Sequence, residues 1–478
     1  MQPDTKTDNT LKRSLILAGG GVRLAYQAGV LQALHESKKE FNHIDGTSGG
    51  IFNAAMLASG LGPDEMADRW RKLDIKHFMS ARSLKEYFFP GRYKGVGDAD
   101  GIRNKIFPAL GIRVEKMRNN SSIKTTFNVC NFSDKTIEAI PNDRVTEDHL
   151  IAGVSLPIFM PAIRIGQHWY SDAVWIKDAN LMEAVRRGAE ELWLVWAIGN
   201  GSEYLNGSFN QYVHMIEMSA NGGLWEEYAQ IDLINKLIAQ GNSPYGQQQS
   251  IKLHVIRPRF PLPLDPDLFL RKIDTSTLID MGYADAKAYL GNHNHGGVSF
   301  DPQSTKMEDP GINLTFCQKY SGTMLFNGKA DAIAYSCSFT FRQFVKHEML
   351  SLSSSVYIQS LRKTISCKNN VAEIKIGNKR IALHAISTFE IDGKDHICHA
   401  VIPLHSPVDW LLGVEFKKVH IELYSILQSE KVMLAKGWLI QSIFGRLKYL
   451  LCTSLNNFSG NGLKLVAMYK AILKLYTV

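Results

Sequence analysis

Asp45-Gly46-Thr47-Ser48-Gly49-Gly50, running on as Ile51-Phe52-Asn53-Ala54-Ala55, decides how this chain is read. A short apolar lead (Phe41, Ile44) enters the stretch, and a helix-like run to Ser59 leaves it. The core is a Gly-x-Ser-x-Gly pentapeptide. On a sharp turn from strand to helix, the backbone pushes a serine hydroxyl outward. Only small neighbours fit where the two chain segments cross. The helix that starts there points backbone N–H groups at any negative charge forming beside the hydroxyl. A plain glycine-serine loop could carry the same five residues, so neighbouring stretches have to decide.

Upstream, Ser14-Leu15-Ile16-Leu17-Ala18 reads as a buried strand, followed by Gly19-Gly20-Gly21-Val22-Arg23 and a helical run over residues 24–40. Three glycines allow a close backbone approach to a ligand, and their N–H groups can converge on one point. A dinucleotide phosphate loop would need one more glycine, where this chain has Leu24. That reading also leaves Gly46 to Gly50 without a purpose.

Downstream lies Gly153-Val154-Ser155-Leu156-Pro157, continuing to Pro161 and then to Gly166-Gln167-His168-Trp169-Tyr170-Ser171-Asp172-Ala173. The ordered series Gly-Gly-Gly-x-Arg, Gly-x-Ser-x-Gly, Ser-Leu-Pro and Tyr-x-Asp resembles the patatin-like lipid acyl hydrolases. The similarity runs on through Asn180, residues 183–189 and the apolar strand 192–197, and covers residues 14–290. It implies a three-layer α/β domain and a Ser–Asp dyad without histidine, with Ser48 as nucleophile and Asp172 as base. Gly19, Gly20 and Gly21 would supply the oxyanion hole with the Gly49 N–H, and Arg23 would position that loop or an anionic head group. The implied activity is cleavage of a phospholipid, lysophospholipid or other acyl-lipid ester through an acyl-Ser48 intermediate, of the phospholipase A or lysophospholipase type. No cofactor and no metal are required. Some injected bacterial members of this family need a protein activator, so the resemblance admits one here. Two positions depart from the pattern: Leu24 and Ala173 stand where the family usually has glycine. They keep a second reading open, a lipid-binding or membrane-scaffold protein on the same fold with a degenerate site.

The chemistry suits these residues. A serine hydroxyl is a poor nucleophile until a base takes its proton. A carboxylate near its ordinary pKa of about 4 is a weak base at neutral pH, so Asp172 needs desolvation. Trp169, Tyr170, Val174 and Trp175 around it can provide that.

With 478 residues, 45% of them hydrophobic, the chain can build two or three domains. Residues 1–13 read as a polar leader without an apolar signal region. No stretch reaches the eighteen uninterrupted apolar residues of a membrane span. Six scattered cysteines read as buried thiols of a reducing, cytoplasmic compartment. His293/His295 and His396/Cys398/His399 lack the paired spacing of a zinc site. Residues 78–107 mix aromatics and bases and read as a lid or a packed connection.

Gly291 to Pro310 is polar and glycine/proline-bounded, and is read as a linker. Residues 311–430 then carry short alternating runs and a turn at Asp392-Gly393, the pattern of a small antiparallel β domain that no motif assigns to a family. The last stretch, residues 431–478, has seven basic residues and no acidic one, against a formal net charge of +8 for the whole chain. Its apolar residues recur three or four apart (Trp438, Leu439, Ile443, Phe444, Leu447), which predicts a basic amphipathic helical tail. Such a tail suits peripheral contact with an anionic membrane surface or packing on the β domain. Its bases are too diluted by aliphatics for nucleic-acid binding.

Overall fold

The computed structural model describes residues 12–78, 80–81, 97–98, 100–157, 159–199, 204, 206–262, 273–292, 295–308, 313–342, 348–377, 380–404, 417–427, 430–441 and 454–456. The leader before residue 12, most of the 78–107 stretch, Cys452 and most of the C-terminal tail lie outside these residues. The chain divides into two units, residues 1–265 with 281–308, and residues 266–280 with 309–478.

The first unit is built on an eight-stranded mixed sheet. Its strands are β1 (Arg13–Leu17), β2 (His43–Thr47), β3 (Lys124–Asn131), β4 (Thr136–Pro141), β5 (Ile163–Ile165), β6 (His168–Ser171), β7 (Glu191–Val195) and β8 (Lys252–Ile256). They lie in the order β8-β7-β1-β2-β3-β6-β5, with β4 paired to β3. The five strands from β8 to β3 are parallel, and the others return antiparallel. β2 and β7 are buried along their whole length. Strands covered on both faces read as continuous runs such as Leu-Trp-Leu-Val rather than as alternation.

The helices are α1 (Ala25–Glu36), α2 (Gly50–Ala58), α3 (Pro63–Lys72), α4 (Val114–Asn119), α5 (Glu147–Gly153), α6 (Leu181–Arg186), α7 (Ser208–Ala239) and α8 (Thr275–Asn292). On one face, Ile16, Leu192, Leu194 and Val255 pack with Leu181 and Val185 of α6 and with Leu224, Tyr228 and Ile231 of α7. On the other, Trp193 stacks on His254 at 4.2 Å between centroids, and Tyr289 of α8 meets both rings edge-on. Gly282 of α8 lies so close to the Tyr26 carbonyl of α1 that no Cβ fits between them. Helix, sheet and helix form the expected three layers.

α1 stops at Glu36, short of the expected Glu40, because Lys38 takes a left-handed φ of 53°. α5 starts at a capping box: the Thr146 hydroxyl accepts the His149 N–H at 3.2 Å. The stretch expected as a linker is not loose where it is described. Val298 N–H donates to the Leu253 carbonyl at 2.7 Å, and Phe300 and Met307 pack against the first unit's core.

The second unit is a ten-stranded antiparallel sheet. It comprises β9 (Asn313–Phe326), β10 (Lys329–Arg342), β11 (Glu348–Ile358), β12 (Lys363–Ser366), β13 (Lys368–Gly377), β14 (Arg380–Ile391), β15 (Lys394–Leu404), β16 (Lys418–Leu427), β17 (Glu430–Gln441) and β18 (Ser454–Asn456). The order is β12-β11-β10-β9-β17-β16-β15-β14-β13, with β18 on β9. Ile333, Tyr335, Cys337 and Phe339 show the alternation that buries one face, and the Asp392-Gly393 turn joins β14 to β15.

One expectation is corrected here: Lys431 to Gln441 are not helix but the body of β17. Ala435, Leu439 and Gln441 are buried at alternate positions of the strand, with half-buried Gly437 between the first two, and the strand pairs with β16 along its length and with β9 at Gln441 and Ile440. The three-and-four spacing is real, but two open strand edges satisfy this backbone better than an isolated helix could. The rest of the expected basic helical tail falls outside the described residues, apart from β18. No helix among the described residues is long and apolar enough to cross a membrane.

The tightest point of the first unit is where α2 leaves β2. A Cβ on Gly50 would run into the Leu17 carbonyl oxygen and stand 2.8 Å from that of Ala18. Both are backbone atoms that cannot swing aside. Gly50→Ala is expected to destabilise the first unit by about 3 kcal/mol. The urea midpoint of its unfolding measures this, and an unchanged midpoint contradicts the crossing described.

Candidate active site

Ser48 follows β2 directly and holds φ at +50°, a left-handed value unusual for a residue with a side chain. Gly49 and Gly50 then open α2. This is the strained elbow that the pentapeptide foretold. Its neighbours leave no room for larger residues. A Cβ on Gly46 would lie 2.7 Å from that of Ala54, and one on Gly49 would meet Leu24 and, at 2.6 Å, the Gly21 carbonyl.

The Ser48 hydroxyl donates to Asp172 Oδ2 at 2.7 Å across 124 residues of sequence. Asp172 ends the hairpin of β5 and β6 and caps a short 3-10 turn, Ala173–Trp175, where its Oδ1 accepts the Val174 N–H at 2.9 Å. Its own N–H donates to the Ser155 carbonyl at 3.1 Å, and the Ser155 hydroxyl donates to Ile151 at 2.8 Å. The Ser-Leu-Pro segment thus anchors the backbone of Asp172. Asp172 is 2% exposed. Burial pushes its carboxyl up to about 7, against the pull of the Ser48 hydroxyl and the Val174 N–H. Desolvation has the effect the sequence called for. Ala173 is fully buried and is not among the residues with positive φ, so the alanine needs no glycine-only conformation.

The glycine turn lies beside the elbow. Gly20 has φ +155° and Gly21 has φ +64°. A Cβ on Gly19 would collide with the Asp178 carboxyl and stand 2.7 Å from that of Ser48. The Gly19 N–H is taken by the Asp178 carbonyl at 3.2 Å, which sequence reasoning did not foresee. Arg23 turns back on its own loop, with Nε donating to the Gly20 carbonyl at 2.8 Å. Leu24 is fully buried against Gly49, and its carbonyl accepts the Asn53 amide at 2.9 Å. The structure therefore brings Ser48, Asp172, Gly19, Gly20, Gly21, Arg23 and Gly49 together.

Sequence reading missed the groups beneath the elbow. Asp45 is fully buried, and its carboxyl accepts from Thr126 Oγ1 and Asn128 Nδ2, both at 2.5 Å. Burial pushes it up to about 8 despite those bonds. Asn128 also donates to Thr47 Oγ1 at 2.9 Å and accepts from Asn180 at 2.8 Å. Asn180 caps α6, which follows the Asp172 loop. This network ties the serine's strand to the segment after the aspartate. Asp45, three residues before the serine, and Asn180, where the family similarity continues, stood near motifs, whereas Thr126 and Asn128 did not. Tyr212 of α7 was also missed. Its hydroxyl donates to the Pro157 carbonyl at 2.7 Å, its ring meets Phe159 and Trp175 edge-on, and burial with the Asp172 charge raises its pKa.

The raised Asp172 carboxyl carries a stability cost. Unfolded, it ionises near 4; folded, only near 7. Between those values the unfolded chain releases a proton that the folded chain keeps. The margin present below pH 4 is therefore lost as pH rises to about 7, at about 1.4 kcal/mol per pH unit. Asp172→Asn is expected to be the more stable protein at pH 8, by a few kcal/mol, and equal to wild type near pH 4. Denaturation at the two pH values measures this, and equal stability at pH 8 contradicts the raised carboxyl.

Residues 15–185 match the patatin-like phospholipase family. Among solved structures the chain is similar to VipD from Legionella pneumophila, with 13% identity over 59% of this chain and 67% of that one, at a TM-score of 0.33. It is also similar to the type III effector protein ExoU, with 15% identity over 62% of this chain and 78% of that one, at a TM-score of 0.22. A search of the curated proteins gave no match. The motifs carry the assignment: this chain contains a patatin-like phospholipase domain at residues 15–185.

Proposed function

We propose that the chain is a serine lipid acyl hydrolase of the phospholipase A or lysophospholipase type. The 2.7 Å hydrogen bond from the Ser48 hydroxyl to a buried Asp172 carries the reading. Ser48 Oγ attacks the ester carbonyl carbon while its proton passes to Asp172 Oδ2. The carbonyl electron pair moves to oxygen, and this oxyanion rests against the N–H groups of Gly20, Gly21 and Gly49 at the start of α2. Because the Gly19 N–H is already donated, Gly19 contributes space rather than a hydrogen bond. Collapse breaks the ester C–O bond, and the alcohol leaves with the proton from Asp172. Water then attacks the acyl-Ser48 ester, with Asp172 again the base. Arg23 holds the glycine turn through the Gly20 carbonyl.

The degenerate-scaffold reading loses one of its two supports, because Ala173 fits its turn without strain. A base pushed up to about 7 also suits proton abstraction near neutral pH. The excess of bases after Glu430 suits an anionic lipid surface, and this membrane contact is part of the proposal.

Turnover of a short-chain p-nitrophenyl ester and of mixed phospholipid vesicles tests the reading. Ser48→Ala and Asp172→Asn are each expected to lower kcat by about a thousandfold or more. Wild-type turnover should rise with pH through about 7 as Asp172 loses its proton. Equal turnover in all three proteins would remove the Ser48–Asp172 assignment. Vesicle binding without turnover would favour the scaffold, and turnover only with added cell extract would bring in an activator.

A further inference from the structure

Asp178 is a buried carboxyl beside the dyad that the mechanism above leaves unused. It lies six residues after Asp172, between the 3-10 turn and Asn180. It is 1% exposed, and neither carboxyl oxygen has a side-chain hydrogen-bond partner among the described residues. The Gly19 N–H donates to its backbone carbonyl at 3.2 Å and from there also pulls on the carboxyl. One carboxyl oxygen occupies the space that a Gly19 side chain would fill, and the Ser48 Cβ borders that same space. A buried carboxyl left without partners is a costly arrangement for a fold to keep. Asp45, equally buried, has Thr126 and Asn128 on its two oxygens.

We propose that Asp178 is a positioning residue of the acyl-transfer site. Uncharged, it leaves Asp172 as the lone anion beside Ser48 and lets negative charge form on the substrate oxygen at the Gly20–Gly21 turn; ionised, it opposes that charge. The inference rests on the hydrolase reading above. Asp178 takes no proton in the cycle, which runs from Ser48 to Asp172 to the leaving alcohol.

Its surroundings set its charge state. Burial raises the Asp178 carboxyl well above the ordinary range, and the Asp172 charge raises it further. Arg23, on the glycine turn, pulls the other way, as does the Gly19 N–H. From α7, Glu227 takes Lys177 at 2.8 Å, which leaves Arg23 as the cation that acts on Asp178 among the described residues. Two carboxyls this close lose their protons in sequence, and the pair's first ionisation is the working one. Asp172, held by the Ser48 hydroxyl and the Val174 N–H, ionises first. Activity should therefore rise with the first ionisation and fall with the second.

The test is kcat/KM for a neutral short-chain ester between pH 5.5 and 10, in wild type, Asp178→Asn and Asp178→Ser, corrected for spontaneous hydrolysis. Wild type is expected to give a bell whose alkaline side falls about tenfold per pH unit. Both neutral variants should keep the rising limb near pH 7, lose the falling one, and exceed wild type by about tenfold or more at the alkaline end. A wild-type profile with no fall up to pH 10 would overturn the proposal. So would variants that keep the bell, or that lose rate equally at every pH, which marks a purely structural role. Urea denaturation is the second readout. Asp178→Asn should gain stability over wild type as pH rises from 4 to 9, and parallel pH dependence in the two overturns the proposal. If wild type hydrolyses nothing at any pH, the hydrolase reading fails and the positioning role with it, and the denaturation comparison still decides whether the fold holds Asp178 protonated.

Discussion

Two turns of backbone cross in this protein where no side chain fits. The elbow at Gly49 and Gly50 passes against the Leu17, Ala18 and Gly21 carbonyls, and Gly46 passes against Ala54. Register between β1 and β2 sets the distance, with Leu17 opposite Gly46 in a parallel pair. Once those strands are zipped, the loops at their carboxyl ends must lie side by side. Ser48 then has little choice but the left-handed φ that lifts its hydroxyl, and the glycine turn lies next to it. The strain at one residue is held by a fully buried strand before it and a buried helix after it.

Around that crossing the chain buries three carboxyls within a short reach of one serine, and each is treated differently. Asp45 is satisfied by Thr126 and Asn128 and ties β2 to β3. Asp172 has one oxygen on the Val174 N–H and the other on the serine hydroxyl itself. The Asp178 carboxyl has no side-chain hydrogen-bond partner among the described residues. Burial raises all three, so the site keeps protons that an exposed cluster would release. That is destabilising above pH 4, and it is the kind of local inconsistency that folds retain at working sites. The stable parts around it make this tolerable: the two-faced parallel sheet, the α6–α7 core and the Trp193–His254–Tyr289 stack.

The second unit follows different rules. Its strands run up to fourteen residues, pair in sequence order on either side of the β9–β17 junction, and bury a face of Tyr, Ile, Phe and Cys side chains. Its β-like runs were legible in the sequence from Ala332 to Phe339, from Ile381 to Ile391 and from His396 to Leu404. β17 was not, because Trp438, Leu439 and their neighbours fit helical and strand periods about equally over so short a run. Pairing with β16 along its length, and at its end with β9 more than a hundred residues earlier, settles it, and a local pattern carries no trace of that second partner.

Read alone, the sequence determined what local sterics and periodicity can determine. Small residues at 19–21 and 46–50 mark turns that admit no side chain, apolar runs mark covered strands, and the ordered motifs point to Ser48 and Asp172 only through the family they resemble. Only the tertiary structure decided that these two meet at 2.7 Å, and that the Gly19 N–H is already spent on the Asp178 carbonyl. It alone showed that Ala173 fits a turn where glycine was expected, and that Asp45, Asn128 and Asn180 form the floor of the site. The reason is physical. Conformational preference is a property of neighbouring residues, whereas burial, and the charge state that burial imposes on a carboxyl, belong to whatever the fold packs around it.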